Sequence, residues 1–284
     1  MLSLGRAWRA RIGSGAAALS VMLMLPLSYA LATPADLFAA ADDTSKIVID
    51  HSVWDRFLAK YVKPDGSGLN AVDYAAFRDN DREPLRQYIG QLEKVTPATL
   101  SRPEQFALLA NLYNAKTIEI VLDHYPVASI KDISLGGTLL SAITGGPWKK
   151  KVTQLGGTPL SLDDIEHGVL RPVFQDPRVH YALNCASIGC PNLRTEAYTS
   201  EKLEAQLDEA ARDFVNSKRG VVLADGKLRV SSIFSWFIED FGGDEAGVIA
   251  HLKRFAAEPL SADLDAVSKV HSHFYDWNLN NVRQ

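Results

Sequence analysis

The residues best suited to chemistry lie in one short stretch that contains both cysteines of the chain. His180, Cys185 and Cys190 fall within eleven positions, and Pro191 follows directly. A thiolate is a strong nucleophile, and a nearby imidazole can take the proton from a cysteine thiol. The stretch therefore indicates where chemistry would occur, and a thiol beside an imidazole is the chemistry that its residue types favour.

The sequence leaves four roles open for the two cysteines. In an oxidising compartment two cysteines usually pair, and the four residues between these two allow the sulfurs to meet. A free Cys185 would instead be a nucleophile, and a buried reduced pair would be structural. A zinc site of His167, His180 and both cysteines has suitable ligand types but not the spacing of a common zinc finger. We predict neither a metal nor a cofactor.

His167 is a better candidate base for Cys185 than His180. On a strand, His180 would point to the face opposite Cys185, and on a helix positions five apart are also poorly aligned. His167 lies on a separate predicted helix together with Glu166 and Arg171. Because Arg171 is four positions after His167, the two are neighbours on the helix surface. We therefore expect a guanidinium beside the imidazole that can receive a substrate carboxylate.

Amide side chains are the candidates for stabilising a developing negative charge. Asn114 lies on an apolar stripe of the longest predicted helix, where an unpaired buried amide costs ~1–3 kcal/mol. Three roles are open for it: tying a loop to the core, orienting a histidine, or an oxyanion contact of the kind that Asn184 would also provide. Ser187, between the cysteines, completes the supporting residues.

The longest predicted helix, roughly residues 102–124, is expected to be central. Ser101 and Glu104 have the spacing of a capping box, in which each side chain satisfies an amide of the first turn. Apolar residues cover most of the helix surface. The exception is one face that contains Lys116, Glu119 and Asp123, and we expect this face to be exposed to water.

Around this helix the sequence predicts further helices and short strands in irregular alternation. Gly156-Gly157 and Asp225-Gly226 each indicate a hairpin, a helix is expected at about 200–217, and 271–279 would form a final strand. Hairpins in place of helical crossovers favour an α+β fold over a doubly wound parallel sheet. We predict a helix-rich single domain with a small, mainly antiparallel sheet.

The first residues have the layout of a secretory signal. Three arginines and no acidic residue precede an apolar run at 16–27, which is well short of the ~20 residues that span a bilayer. Small residues at Ala30 and Ala32 suit a signal peptidase. We predict a signal peptide over 1–32, a flexible leader over 33–47 and one domain over 48–284, in the periplasm or secreted, with no membrane span after signal removal.

The charge of the chain excludes one class of partner. The whole chain has a formal charge of −4, and the predicted signal holds three arginines and no acids, so the remainder is more acidic still. Nucleic-acid binding needs a basic surface that displaces counterions, so we expect no nucleic-acid partner. The partner expected instead is a small molecule or a protein of the cell envelope.

Seven separated motifs, in order over roughly residues 50–280, resemble those of the domain of unknown function 547 family. They are Leu112-Tyr-Asn-Ala115, His124-Tyr-Pro126 with Ser129-Ile130, Ile165-Glu-His167 with Arg171, His180-Tyr-Ala-Leu183, Cys185-Ala-Ser-Ile-Gly-Cys-Pro191, Ile233-Phe-Ser-Trp236 and Tyr275-Asp-Trp-Asn-Leu-Asn280. The resemblance implies membership of that family and carries over no established activity. Its bacterial members are often secreted.

These observations support two hypotheses. In the first, segments 111–114, 165–171 and 180–191 form a polar cleft for thiol hydrolysis or acyl transfer. Cys185 attacks and His167 takes its proton. In the second, the protein is a non-catalytic periplasmic module that binds a small molecule or a protein, and Cys185 is disulfide-bonded to Cys190.

Overall fold

The computed structural model describes residues 33–136 and 146–282. The predicted signal peptide, residues 1–32, lies outside the described residues. Within the described parts of the chain, no helix is both long enough and apolar enough to cross a membrane.

The described residues form mainly helices, with short strands between them. The α-helices are α1 (Ser52–Tyr61), α2 (Tyr74–Leu92), α3 (Arg102–His124), α4 (Arg171–Phe174), α5 (Val179–Ala182), α6 (Leu203–Val215), α7 (Ile233–Trp236), α8 (Glu245–Phe255) and α9 (Leu260–Leu264). Short 3-10 helices cover Pro34–Phe38, Pro97–Thr99, Ile130–Asp132 and Ile238–Phe241, and a π-helix covers Asp164–Leu170. The strands are β1 (Val62–Pro64), β2 (Asn70–Val72), β3 (Thr153–Leu155), β4 (Thr158–Leu160), β5 (Val221–Ala224), β6 (Lys227–Ser231) and β7 (Val270–Phe274).

The predicted α+β, helix-rich fold is confirmed, although the strands form three small sheets instead of one. β1 pairs with β2 and β3 with β4, both antiparallel. β5 and β6 form the predicted hairpin, and β7 adds to β6 in parallel. Strands of three to five residues offer few ladder hydrogen bonds, so each small sheet depends on packing against helices.

The helix α3 lies at the centre of the protein, and most of its side chains are buried. Its bounds agree with the prediction, but the capping box was wrong. The Ser101 side chain makes no cap hydrogen bond, and Glu104, which is 1% exposed, accepts from the backbone N–H of Ile49 at 2.8 Å. Asp43 accepts from the N–H of Arg102 at 3.2 Å instead. A distant part of the chain thus supplies the cap that the local pattern predicted.

The expectation that one face of α3 would be in water was wrong for Lys116. This lysine is 7% exposed, and its Nζ lies 2.6 Å from Glu119. The face is covered by α2, whose Arg86 also contacts Glu119 at 3.1 Å. Packing of α2 on α3 therefore converts a polar face into a set of interhelical ion pairs.

The predicted flexible leader, 33–47, needs a correction at its first residues. Pro34–Phe38 form a 3-10 helix, and Phe38 is completely buried in the core. Arg102 Nη1 donates to the Phe38 carbonyl at 2.6 Å, which holds the segment against the start of α3. Burial of a large aromatic side chain is the reason that this part of the segment packs on the domain.

The buried side chains form two clusters that meet at α5. The larger cluster surrounds α1, α2 and α3, and the smaller surrounds α6, α8 and the β5–β7 sheet. Val179 and Ala182 belong to the larger cluster and Tyr181 to the smaller. His180 stands between them, so the fold places this histidine at the junction of the two cores.

Candidate functional site

A cavity of about 240 Å³, called here the cystine pocket, opens between the π-helix, residues 185–191 and the C-terminal segment, residues 275–282. Its aromatic lining residues are Trp148, Trp236, Phe237, Tyr275 and Trp277. Its charged or titratable lining residues include Asp163, Glu166, His167 and His180, and both cysteines also line it. Mostly apolar walls with a few converging polar groups are typical of small-molecule sites.

Cys185 and Cys190 form the disulfide that the sequence left as one alternative. Their Cα atoms are 6.1 Å apart, and the chain has no free cysteine. Because the sulfurs are bonded to each other, they offer no thiolate to a zinc ion. Among the described residues, no group of three or more His, Cys, Asp and Glu side chains is arranged to hold a metal.

Asn184 and Asn114 hold the backbone of the cystine loop, which we define as residues 185–190. Asn184 accepts from the N–H of Ala186 at 3.0 Å and donates to the Pro191 carbonyl at 2.7 Å, so it joins both ends of the loop. Asn114 accepts from the N–H of Asn184 at 2.8 Å and donates to the Ala182 carbonyl at 2.9 Å. Both amides are buried and bonded to backbone, in agreement with the loop-tying alternative for Asn114.

Tyr275 brings a hydroxyl to both sulfur atoms. Its oxygen lies 3.1 Å from Cys185 Sγ and 3.2 Å from Cys190 Sγ, and the Ser187 hydroxyl donates to it at 3.0 Å. Burial raises the pKa of Tyr275, so the phenol keeps its proton near neutral pH. The predicted supporting residue Ser187 therefore acts together with a tyrosine that is distant in sequence.

The π-helix carries Glu166 and His167 to the pocket. The segment predicted as an ordinary helix after Ser161 contains wider turns, in which the N–H of Arg171 donates to the carbonyl of Glu166. π-helical turns are rare and are frequent at functional sites. Here the wider turn places two consecutive polar side chains on the pocket wall.

His180 is the histidine with the closest carboxylate partner. Its Nε2 lies 2.7 Å from Asp240 Oδ2, and its Nδ1 lies 3.6 Å from Glu166 Oε1, which is longer than a hydrogen bond. This Nδ1 is buried without a hydrogen-bond partner. The Phe237 ring stacks on the imidazole, with ring centroids 4.2 Å apart. The ring is therefore fixed, with a carboxylate near each of its two nitrogens.

Asp240 also holds Arg171, so the guanidinium is already paired. Nε and Nη2 of Arg171 lie 2.6 and 3.1 Å from the two oxygens of Asp240. The same side chain lies over the ring of Phe237, 5.0 Å from its centroid. Arg171 is beside His167 as expected, with Nη1 3.5 Å from Nδ1, but its bidentate fork faces a carboxylate of the protein.

The pKa values of this cluster follow from burial and from the pairing of opposite charges. Burial would lower the pKa of His180, but the hydrogen bond to Asp240 and the charge of Glu166 outweigh it and raise the pKa. The hydrogen bond from His180, aided by Arg171, lowers the pKa of Asp240. Burial would raise the pKa of Glu166, and His180 and His167 reverse this and lower it. Burial raises the pKa of Asp163.

His167 lies in the pocket but is less constrained than His180. Its two nitrogens are each 4.0 Å from a carboxylate oxygen, of Glu166 and of Asp163, and its side chain is 38% exposed. Among the described residues, the polar side-chain groups that contact Cys185 Sγ are the hydroxyls of Ser187, at 3.5 Å, and of Tyr275, at 3.1 Å. Sulfur and both imidazoles thus share one pocket, and neither imidazole is hydrogen-bonded to the sulfur.

Sequence reasoning missed Asp240, Tyr275 and Phe237 as site residues. Asp240 follows Ile233-Phe-Ser-Trp236 by four positions, and Tyr275 opens a motif that supported the family resemblance. Those motifs were the available signal, but neither residue is near a cysteine or histidine of the site in sequence. The direction of His180 relative to Cys185 was predicted for one continuous strand or one continuous helix. In the structure His180 lies on the short helix α5, and the chain becomes extended at Leu183, before it reaches Cys185.

Comparisons with known proteins agree with the resemblance found in the sequence. No curated protein and no solved structure matches the chain. A family model matches residues 97–215, a shorter segment than the 50–280 over which the motifs were identified. It includes α3, the π-helix and the cystine loop, and it ends before Asp240 and Tyr275. Over residues 97–215 the chain is therefore similar to the family described as "Protein of unknown function, DUF547".

Proposed function

We propose that the protein is an exported module that binds a small molecule in the cystine pocket, with Cys185 and Cys190 oxidised. The observation that carries the proposal is the disulfide, which leaves no thiol in a pocket that otherwise has the walls of a ligand site. Export is supported by the signal-like N-terminal sequence. An oxidising compartment would keep the disulfide closed.

The ligand that best suits the pocket is uncharged, with a flat apolar face and a polar edge. Charges at the polar end balance, since the lining residues Lys149 and His180 face Asp163 and Glu166. Arg171 and Asp240, which do not line the pocket, pair with each other. A net charge on the ligand would therefore find no net counter-charge. The aromatic lining residues offer rings for stacking, and the side chains of Asp163 and His167 offer hydrogen bonds.

Three probes of nearly equal shape and different charge test this proposal. Benzamide is neutral, benzoate is an anion and benzamidine is a cation. We expect benzamide to bind most tightly, measured by calorimetry and by quenching of the fluorescence of Trp148, Trp236 and Trp277. Tightest binding of benzoate or of benzamidine would reject the uncharged class of ligand, and no binding of any of the three would count against the module itself.

Trp236→Ala separates binding in the pocket from binding elsewhere. Trp236 is 48% exposed and lines the pocket, so its loss should weaken benzamide binding by several-fold with little change in folding. Ile47→Ala is the matched control, because Ile47 is 53% exposed and is not part of the pocket wall. Equal affinities of both variants and the unmodified protein would place the bound probe outside the cystine pocket.

A second candidate function is a thiol hydrolase or acyl transferase that works only after reduction of the disulfide. It is supported by one observation, that Cys185, His167 and His180 all line the same pocket. The test compares hydrolysis of p-nitrophenyl acetate by the reduced protein and by its Cys185→Ala and Cys190→Ala variants. Activity lost only in Cys185→Ala would support it. Equal activity in Cys185→Ala and in the reduced unmodified protein would exclude Cys185 as the nucleophile.

A further inference from the structure

The two cysteines of the disulfide are unequally exposed. Both cysteines line the cystine pocket, but Cys185 is half-buried whereas Cys190 is only 1% exposed. Thiol–disulfide exchange begins when a thiolate attacks one of the two sulfurs, and access decides which one. The sulfur of Cys185 is therefore the one that a thiol in the pocket meets.

The contacts of Cys190 suit a sulfur that leaves as a thiolate. Its Sγ receives the backbone N–H of Cys185 at 3.0 Å. The Tyr275 hydroxyl, to which Ser187 donates, lies 3.2 Å away, and the Ser187 oxygen lies 3.4 Å away. Hydrogen bonds to the charged form lower the pKa of an acid, and a thiol of lower pKa leaves faster. The N–H of Cys185 and the hydroxyl of Tyr275 can therefore both donate to the atom on which negative charge would appear.

A cation stands close to the same cysteine. The guanidinium of Arg219 donates to the carbonyl of Cys190, and also to the carbonyl of Gly68 at 2.9 Å and to Asn192 Oδ1 at 2.8 Å. These three acceptors are neutral, and the carboxylates of Asp65 and Asp213 also act on the charge of the arginine. A nearby arginine favours a thiolate over a thiol.

We infer that the protein undergoes thiol–disulfide exchange with low-molecular-weight thiols, with Cys185 as the attacked sulfur and Cys190 as the leaving thiolate. This activity goes beyond ligand binding and rests only on a disulfide that is closed at rest. The pocket, about 240 Å³, has room for a small thiol.

The exchange consists of two balanced steps. The thiolate of the first thiol attacks Cys185 Sγ, a mixed disulfide forms, the bond between Cys185 and Cys190 breaks, and its electron pair leaves on Cys190. A second thiol then attacks the sulfur of the bound substrate and releases Cys185. The protein disulfide is reduced to two thiols, two substrate thiols are oxidised to one disulfide, and the two substrate protons end on the cysteines.

Mapping of the mixed disulfide tests the assignment in the unmodified protein. The folded, oxidised protein is exposed briefly to 2-mercaptoethanol, quenched with acid and an alkylating agent, digested and analysed by mass spectrometry. We expect the mercaptoethanol adduct on Cys185 and the alkyl group on Cys190. An adduct mainly on Cys190, equal amounts on both, or a disulfide that reacts only in denaturant would overturn the inference.

A pair of tyrosine variants tests the role of the leaving-group contacts. Tyr275→Phe removes one of the three contacts to Cys190 Sγ, so single-turnover reduction should slow roughly five-fold, which corresponds to about 1 kcal/mol. Tyr125→Phe is the control, because its hydroxyl contacts Asn281 and does not line the pocket. Equal rates for the two variants would remove Tyr275 from the mechanism. Benzamide binding is measured without thiol, so failure of exchange and failure of binding are separate results.

Discussion

His180 shows how one side chain obtains its properties from three separate elements. The histidine lies on α5, its carboxylate partner Asp240 lies on the 3-10 helix Ile238–Phe241, and Glu166 lies on the π-helix. The side chain is 1% exposed, so only the two neighbouring carboxylates keep the protonated form of the imidazole favourable. The same burial without carboxylate partners would give a neutral ring.

His251 provides a comparison for the effect of the carboxylates on the pKa of His180. It is also largely enclosed, but the Tyr181 hydroxyl at 2.8 Å is its polar partner, and burial together with Arg254 lowers its pKa to about 4. We expect an NMR titration of the imidazole C–H signals to show His180 titrating above 6.5 and His251 near 4. In Asp240→Asn, the pKa of His180 should fall and that of His251 should stay. A pKa of His180 that is unchanged in this variant would contradict the pairing.

The raised pKa of His180 also determines how stability depends on pH. The stability that protonated His180 gains from Asp240 is fully present below about pH 6.5 and is lost as pH rises through its folded pKa. The unmodified protein and Asp240→Asn should therefore differ less in their free energies of unfolding once the pH exceeds the folded pKa of His180. Urea unfolding at pH 6 and pH 9 measures it. His251 has the opposite sign, because its protonation between pH 6.5 and 4 favours the unfolded chain.

The cystine loop is held in place by close contact with the C-terminal segment, residues 275–282. Backbone N–H groups of Ile188 and Gly189 donate to the carbonyls of Asn278 and Asp276, both at 2.8 Å. At Gly189 the two backbones approach so closely that an added Cβ would lie 2.8 Å from the nitrogen of Asp276. The loop therefore requires glycine at this position because of space.

Two glycine-to-alanine substitutions test this contact. Gly189→Ala should destabilise the protein by about 1–3 kcal/mol, because backbone atoms on both sides must move. Gly90→Ala is the matched control, since an added Cβ at Gly90 meets nothing within 4 Å inside α2, and it should stabilise by about 0.5–1 kcal/mol. Urea unfolding midpoints give both values. A stabilising or neutral Gly189→Ala would show that the loop and the C-terminal segment are not packed in this way.

Elements with local signals could be predicted from the sequence, and contacts between distant elements could not. α3 and the hairpin at Asp225-Gly226 follow from periodicity and from turn residues, and both are confirmed. The capping box failed because Glu104 is used by Ile49, which no local pattern reveals. Asp240 was missed for the same reason, since only the folded chain brings it to His180. The pocket itself arises where such distant elements converge.

At the scale of the whole molecule, the C-terminal segment joins parts that are far apart in sequence. Leu279 donates its N–H to Ala128, after α3, and the carbonyl of Asn280 accepts from Val72 on β2. The side chain of Asn280 is 1% exposed, and its Oδ1 accepts from the Tyr74 hydroxyl at 2.7 Å. One segment thus fixes the N-terminal helices and the cystine pocket relative to each other.

Asn280→Ala should therefore destabilise the whole domain. The substitution leaves the buried hydroxyl of Tyr74 without its acceptor, and an unsatisfied buried group costs about 1–3 kcal/mol. Asn278→Ala is the control, because Asn278 is exposed and its side chain bonds only Asp276, so its effect should stay within about 0.5 kcal/mol. Thermal unfolding compares the two. Equal stability of both variants would mean that the Asn280 side chain does not join these parts. The expected difference in stability, with one cooperative transition in each variant, would show that the domain unfolds as a unit.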